Sequence, residues 1–509
     1  VVSRLLSPAV LGLDTSTVQV EVDLRAGLPA FSVVGLPDAA VQEARERVRS
    51  GLANQAFSVP ARRIVANLAP ADLRKAGPQY DLPLALAILA ASAQLAPAAL
   101  AGVGAVGELA LDGSLRPVPG ALAMAEHAAR QGWRRVVVPR ANASEAALVP
   151  GVEILGPATL RDAVDMLEGR AECSIARLDG EALLAGGEGA PGPDLADLRG
   201  QGTARRALEV AAAGGHSILM IGPPGSGKTM LARRLPGILP RLALDEAIAV
   251  TRIHSVAGLL DGGCPLVTRR PFRAPHHTIS AVGLVGGGRL PRPGEVSLAH
   301  HGVLFLDEVC AFAPSALDAL RQPLEEGLID VTRAMVSARF PARPLLVCAG
   351  NPCPCGFDGD PVRRCVCPPG RAEAYRARLS GPVADRIDLH VEVPRLPREE
   401  LLGGGPGEPS AVVRERVAAA RARAAARGQA RPNAELGPAA ARRAAALDAG
   451  ARALLGRAVD RLGLSARAHD RLLRVARTIA DLADRDAVAD EHLAEALGYR
   501  FPEAEARAA

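Results

Sequence analysis

The residues Gly222-Pro223-Pro224-Gly225-Ser226-Gly227-Lys228-Thr229 satisfy the pattern G-x-x-x-x-G-K-[ST] at every position. They follow an apolar run, Ser217 to Ile221, and precede residues in helical register, Met230 to Arg234. Glycines at these places let successive backbone N–H groups converge on phosphate oxygens, and the start of a helix adds its partial positive charge. Lys228 supplies an ammonium for β- and γ-phosphates, and Thr229 a hydroxyl for Mg²⁺. About 80 residues further on, the apolar strand Val303 to Leu306 ends in Asp307 and Glu308. Two acids at a buried strand tip place one carboxylate at the metal, Asp307, and a second, Glu308, beside an attacking water as general base. The chemistry these residues fit is Mg²⁺-dependent hydrolysis of ATP.

A second cluster is made of thiols. Cys353-Pro-Cys355 and Cys365-Val-Cys367 form two C-x-C pairs separated by nine residues. Four thiolates at that spacing can surround a tetrahedral ion such as Zn²⁺. Reduced buried cysteines or a redox pair is the alternative. Cys173, Cys264, Cys310 and Cys348 read as small core or surface residues.

These side chains need a scaffold of several cores, because 509 residues exceed one ordinary domain. With 49% hydrophobic and 23% charged residues the chain is globular, and its net charge of +5 permits a local basic surface without requiring nucleic acid. Only two of the 60 basic residues, Lys75 and Lys228, are lysine; the other 58 are arginine. Where arginine replaces lysine so widely, a remaining lysine marks a place that needs a compact ammonium. The uncharged stretch Leu82 to Gly107 contains Pro83, Pro97, Ser92 and Gln94 and reads as a buried helix followed by a turn, not a membrane span. The opening Val1-Val2-Ser3-Arg4 shows no secretory pattern, and the clustered cysteines suit a reducing compartment, so a cytoplasmic protein is expected.

Two Gly/Pro-rich segments divide the chain. The expected organisation is an α/β region over 1–184, a linker over 185–195, the phosphate-loop core over 196–402, a linker over 403–410 and a helical region over 411–509. In the first region Val18, Val20, Val22 and Leu24 alternate with polar residues as a half-buried strand. Asp38 can cap a helix through Ser50, Arg63 to Leu68 and Arg135 to Pro139 read as strands, and Asp112-Gly113 marks a hairpin. Leu345 to Ala349 is a further strand of the core. In the last region Leu472, Leu473, Ala476 and Ile479 form one apolar helical stripe.

The sequence as a whole resembles the magnesium-chelatase-like AAA+ ATPases of the YifB/ComM type. The resemblance is carried by Val34-Gly-Leu-Pro37, Asn67-Leu-Ala-Pro-Ala-Asp72, Gly200-Gln-Gly202, Phe272-Arg-Ala-Pro-His-His277, Gly294-Glu295-Val-Ser-Leu298, Asn351-Pro-Cys-Pro-Cys-Gly356, Ser380-Gly-Pro-Val-Ala-Asp-Arg386-Ile-Asp388-Leu and Leu464-Ser-Ala-Arg467. It implies a multidomain α/β protein: a Lon-protease-like N-terminal domain, an AAA+ core with an insertion in helix 2, and a C-terminal helical lid. Asn351 resembles the sensor that orients the lytic water, Arg386 the arginine finger that reaches a neighbouring subunit, and Arg467 the second sensor. A finger acting in trans requires an oligomer, and the resemblance implies a hexameric ring. The segment Ala281 to Ala299 resembles the helix-2 hairpin, which would offer Arg289 and Arg292 to phosphate backbones; a surface loop with incidental arginines is the alternative reading. His276 and His277 stay open between structural and functional roles.

In Lon-type proteases the nucleophilic serine follows a Gly-Pro pair. Here Gly77-Pro78 is followed by Gln79, and the region's only lysine, Lys75, lies just upstream, so no peptidase activity is expected. The resemblance implies a DNA-translocating motor for branch migration in homologous recombination and natural transformation. The Arg-rich stretch Val413 to Arg427 suits that role or a solvated helix face. Aromatic residues are only 2%, so backbone electrostatics rather than base stacking would have to hold DNA. The competing readings are a magnesium-chelatase motor subunit, which lacks here a D-x-S-x-S metal-adhesion motif, and a protein remodeller.

Overall fold

The structure is a computed structural model that describes residues 2–171, 175–187, 192–260, 265–288, 291–333, 336–378, 386–403, 405 and 407–500. Cys173, Cys264, Arg289 and the 380–385 part of the arginine-finger motif lie outside the described residues.

The alternation at the start of the chain builds a mixed seven-stranded sheet. Its strands run in the order Ala30–Val34, Arg63–Ala69, Asp14–Arg25, Val2–Leu11, Val103–Ala105, Arg135–Val137, Glu153–Leu155. Val2–Leu11 and Asp14–Arg25 pair antiparallel, from Val2 opposite Asp23 to Leu11 opposite Asp14. Val18, Val20 and Val22 are fully buried, so one face of the pleat is core. Asp38 caps the helix Ala39–Asn54, its Oδ1 accepting from the Val41 amide at 2.9 Å. The apolar stretch becomes the buried helix Asp81–Ala91. Among the described residues no helix is long and apolar enough to cross a membrane.

The core region forms a five-stranded sheet in the order Phe272–Arg273, Val303–Leu306, Leu345–Gly350, Ile218–Ile221, Leu389–Glu392, every pair parallel. A parallel sheet must be covered on both faces, and its strands read as continuous apolar runs for that reason. Two hairpins interrupt the core. One pairs Gly286–Gly287 with Arg292–Pro293, inside the expected helix-2 insertion. The other, Leu328–Arg333 with Val336–Pro341, was not anticipated from the sequence. Its signal was a period-two pattern, with Ile329, Val331, Ala338 and Phe340 buried.

The C-terminal helices Ser410–Ala426, Pro438–Ala445, Ala449–Leu462, Ala466–Leu482 and Asp490–Gly498 share one core with the parallel sheet and the helix Gly202–Gly214. His216, fully buried, locks this union: Nε2 lies 2.8 Å from Thr478 Oγ1 and Nδ1 lies 3.1 Å from Asp388 Oδ2. The Arg-rich helix buries one face and exposes the other, and its arginines pair with the rest of the fold instead of forming an open basic surface. Val413, Val417, Ala420 and Ala424 are buried, Arg416 pairs with Glu209 and Glu408, Arg421 donates to the Ala212 carbonyl, and Arg427 pairs with Asp481.

The described residues of the two Gly/Pro-rich segments are tied into the fold. The helix Gly180–Gly186 runs into the first of them, beyond Ala185 where a linker was expected, because no β-branched residue or proline interrupts it. The Leu195 amide donates to Ser410 Oγ at 2.8 Å, the Ser410 amide to Asp194 Oδ1 at 3.0 Å, and the Gly407 amide to the Ala196 carbonyl. Residues 194–196 therefore clasp residues 407–410 beside the core. The first region docks on the core helix Leu244–Ala257, where Ser255 Oγ donates to buried Glu145 and the Gly120 amide to the Ser255 carbonyl.

Candidate functional site

In an open parallel sheet the carboxyl ends of the strands form the ligand crevice. Three adjacent strands here deliver the expected groups to that edge. Ile218–Ile221 leads into the glycine loop, and the helix Lys228–Ile238 starts at its end. Gly227 takes φ 96°, which a residue with a Cβ seldom adopts, and so turns the loop into the helix. Gly222 is required for a second reason: a Cβ there would lie 2.1 Å from the Val393 carbonyl oxygen.

Lys228 is buried, 8% exposed. Its Nζ donates to the carbonyls of Gly222 at 2.7 Å and Pro223 at 2.9 Å, and lies 3.4 Å from Asn351 Oδ1. Burial lowers its pKa, and the charges of Asp307 and Glu308 oppose that shift. Thr229 Oγ1 donates to Asp307 Oδ2 at 2.9 Å, so the two expected Mg²⁺ ligands share one point in space. A hydroxyl and a carboxylate oxygen are hard donors of the kind Mg²⁺ takes, so this pair fits the ion. Glu308 has φ 51° and ψ 46°, a left-handed conformation uncommon for a residue with a Cβ, and its side chain is 58% exposed. The exposed carboxylate is open to water.

His277 stands beside Glu308. Its Nδ1 lies 3.9 Å from Glu308 Oε2, and its ring lies against that of His276, tilted by 35°, with centroids 4.1 Å apart. It belongs to the same edge through the loop after Phe272–Arg273. A further cavity, of about 730 Å³, lies beside the loop and is lined by Gln201, Gly202, Thr203, Glu392 and Pro394 among others. Gln201 Nε2 ties it to the phosphate loop by donating to the carbonyls of Ser226 at 3.3 Å and Pro394 at 2.7 Å.

Arg386 and Arg467 are not brought to this edge. Both line a cavity of about 640 Å³ with Ser217, Gly302, Pro344 and Asp388, residues that precede the parallel strands. They therefore sit at the amino ends, roughly one strand length or 13–20 Å from the loop. Arg386 pairs with Glu325, and Arg467 begins the helix whose Arg471 reaches Asp388 at 3.5 Å. The packing of that helix on His216 places Arg467, the residue that resembles the second sensor, at the amino edge rather than beside the phosphate loop.

The four cysteines converge beside the phosphate loop. Cys353 Sγ lies 3.3 Å from Cys355 Sγ and 3.7 Å from Cys365 Sγ, Cys355 and Cys365 are 3.6 Å apart, and all four sulfurs lie within 4.8 Å of one another. The amides of Val366 and Phe357 donate to Cys355 and hold its thiol down, to about 6. In the N-terminal region Lys75 is fully buried and its Nζ donates to the Pro70 carbonyl, while Gln79 stands after the Gly-Pro pair.

A five-stranded parallel sheet with a phosphate loop, an acid pair on the neighbour-but-one strand and a polar tip on the strand between defines an AAA+-like nucleotide-binding protein. Residues 194–401 match the family described as magnesium chelatase, subunit ChlI, residues 20–142 the subunit ChlI of Mg-chelatase, and residues 407–500 its C-terminal part. The chain is 47% identical over 501 residues to Rv2897c of Mycobacterium tuberculosis, covering 98% of each chain. It is 46% identical over 497 residues to the competence protein ComM of Haemophilus influenzae and 44% identical over 495 residues to YifB of Escherichia coli, covering 97% of this chain and 96% of each relative. The chain belongs to the YifB/ComM family of magnesium-chelatase-like proteins.

Proposed function

We propose that the protein is an ATP-hydrolysing motor that works on DNA as a ring of identical subunits, hexameric, promoting branch migration in homologous recombination and natural transformation. The observation that carries the proposal is the division of catalytic groups between two edges of one sheet. Lys228, Thr229, Asp307, Glu308 and Asn351 gather at the carboxyl edge, and Arg386 and Arg467 at the amino edge. A single chain then holds most of a hydrolytic site and the two cations that complete someone else's.

In this reading Gly222 to Thr229 wrap the triphosphate with backbone N–H groups, and Lys228 leaves its carbonyl partners to neutralise the β/γ-oxygens. Mg²⁺ bound by Thr229 and Asp307 would supply charge neutralisation between the β- and γ-phosphates. Glu308 takes the proton of the attacking water, and Asn351 orients that water. Arg386 and Arg467 of one subunit meet the γ-phosphate held by the next; such a finger contributes on the order of 10³-fold or more. The name of the competence relative supports DNA as the substrate, and exposed Arg292 on the helix-2 hairpin offers a phosphate contact. The N-terminal region is a peptidase-like fold without the chemistry, since an amide at position 79 is no nucleophile and Lys75 is committed to a backbone carbonyl.

The test is ATP turnover with and without forked and three-stranded DNA, together with strand displacement, for the native chain and Lys228→Ala. DNA-stimulated turnover and displacement by the native chain alone are expected. Turnover unaffected by any DNA at low salt, with no displacement, removes the DNA part of the reading.

A further inference from the structure

The thiol cluster is built like a metal knuckle. A tetrahedral ion with metal–sulfur bonds of about 2.3 Å sets its sulfurs about 3.8 Å apart. Separations of 3.6 and 3.7 Å match that edge, and 3.3 Å falls slightly inside it. The supports around the sulfurs are in place: the Phe357 and Val366 amides donate to Cys355, and backbone hydrogen bonds also link Cys355 with Cys367 and Cys367 with Cys365. The intervening loop is independently fixed. Asp360 Oδ1 accepts from the Val362 and Arg363 amides at 2.8 Å each, and Asp358 pairs with Arg376 at 2.7 Å.

The knuckle also touches the nucleotide machinery directly. Cys353 is fully buried and stands two residues after Asn351, on the loop leaving the strand Leu345–Gly350. Gly356 packs so closely on Pro224 of the phosphate loop that a Cβ there would lie 2.5 Å from the proline Cδ. One folded loop thus joins the sensor residue, four thiols and the phosphate loop.

We propose that Cys353, Cys355, Cys365 and Cys367 hold one tetrahedral thiophilic ion, Zn²⁺, and that the resulting knuckle is the strut that fixes Asn351 and the phosphate loop in register. The metal half stands on the sulfur geometry alone; the strut half deepens the nucleotide-site reading. Zn²⁺ here does no chemistry on phosphate. It removes the freedom of a loop that has no helix or strand of its own between residues 353 and 367.

The experiment uses the full chain purified without chelator. Elemental analysis is expected to give about one Zn²⁺ per chain, and cobalt exchange the spectrum of a tetrahedral tetrathiolate. Cys365→Ser should lose the ion, Cys365→His should keep it, and Cys348→Ala, in the core strand, should leave metal content unchanged. A metal-free native chain, or a cobalt spectrum without thiolate bands, overturns the metal half whatever the ATPase assays give. For the strut, hydrogen exchange of the peptide spanning 222–229 is compared between loaded and chelator-stripped protein. Roughly tenfold faster exchange is expected on stripping, with recovery on Zn²⁺ addition and no such change in Cys365→His. Should Cys365→Ser fail to fold, Cys365→His and the stripped native chain carry the comparison. Unchanged exchange in stripped protein overturns the strut, and because exchange needs no hydrolysis this failure is distinct from a failure of the ATPase reading.

Discussion

Gly356→Ala and Gly359→Ala separate the contact with the phosphate loop from the backbone conformation of the knuckle. Both glycines are left-handed, with φ 84° and 78°. An alanine at either costs on the order of 1–2 kcal/mol in backbone strain. At Gly359 nothing lies within 4 Å of the added Cβ, so strain is the whole effect. At Gly356 the Cβ would meet the Pro224 ring at 2.5 and 2.7 Å, roughly an ångström short of ordinary carbon contact. The proline ring cannot rotate away as a flexible side chain can, so the loop or the knuckle must retreat by about that ångström. Misplacing a group that orients reactants by that distance can cost roughly a hundredfold. Gly356→Ala should therefore lower kcat/KM for ATP by about ten- to a hundredfold, while Gly359→Ala stays within about twofold of the native chain. Steady-state ATP turnover and binding of a fluorescent ADP analogue measure both. Equal effects of the two substitutions would refute the contact argument, because the φ penalty is common to them.

Glu308→Gln should bind ATP normally and hydrolyse it at least about a hundredfold more slowly, measured by trapping labelled nucleotide. Arg386→Ala and Lys228→Ala should each be inactive alone and recover partial turnover when mixed, because the intact loop of one meets the intact arginine of the other; no recovery in mixed assemblies counts against a shared site. Burial pushes the pKa of His300 down to about 3, and Nδ1 accepts from the Arg343 amide, so the folded state keeps it neutral. Its contribution is complete above the unfolded value of about 6.5 and is lost as pH falls from there towards 3, by up to about 1.4 kcal/mol per pH unit. His300→Gln should make the pH dependence of unfolding free energy shallower by about one proton in that window; identical slopes would contradict the assignment. Arg477, fully buried, pairs with Asp481 at 3.0 Å and donates to the Asp486 carbonyl at 2.5 Å. Arg477→Ala leaves Asp481 with Arg427 but frees the Asp486 carbonyl, and should cost about 1–3 kcal/mol in thermal or denaturant unfolding.

What the sequence makes legible is what is local along the chain. The phosphate loop is one contiguous run between a strand and a helix, so its geometry follows from its own residues. The same holds for Asp307 and Glu308 at a strand tip and for two closely spaced cysteine pairs. The meeting place of Arg386 and Arg467 is not local. It depends on His216 bridging Thr478 and Asp388, residues separated by more than 80 positions in the sequence. No periodicity in the helix Ala466–Leu482 says which end of the sheet it will cover. The Arg-rich helix misleads for a related reason: its composition suggests a basic surface, whereas its partners Glu209, Asp481 and Asp484 come from elsewhere in the chain. The hairpin Leu328–Pro341 carried an alternating pattern but no Asn-Gly or Asp-Gly turn to announce it.

Composition carried one non-local signal, through its two lysines. Both are buried, and both direct Nζ at a backbone carbonyl of a proline, Lys75 at Pro70 and Lys228 at Pro223. A guanidinium is planar and broad, and it cannot place all five donors inside such a pocket. A small ammonium can turn its three donors towards oxygens that converge from one side. At Lys228 those oxygens are loop carbonyls that a triphosphate can replace, so the same compact charge serves both the free and the bound loop. At Lys75 the acceptor is the Pro70 carbonyl, and burial lowers the lysine's pKa with Asp72 opposing that shift. Lys75→Arg should then disturb the fold of the first region although the charge is kept. Rarity of a residue type thus pointed to two buried ammonium groups held by backbone carbonyls, one in the phosphate loop and one in the N-terminal core.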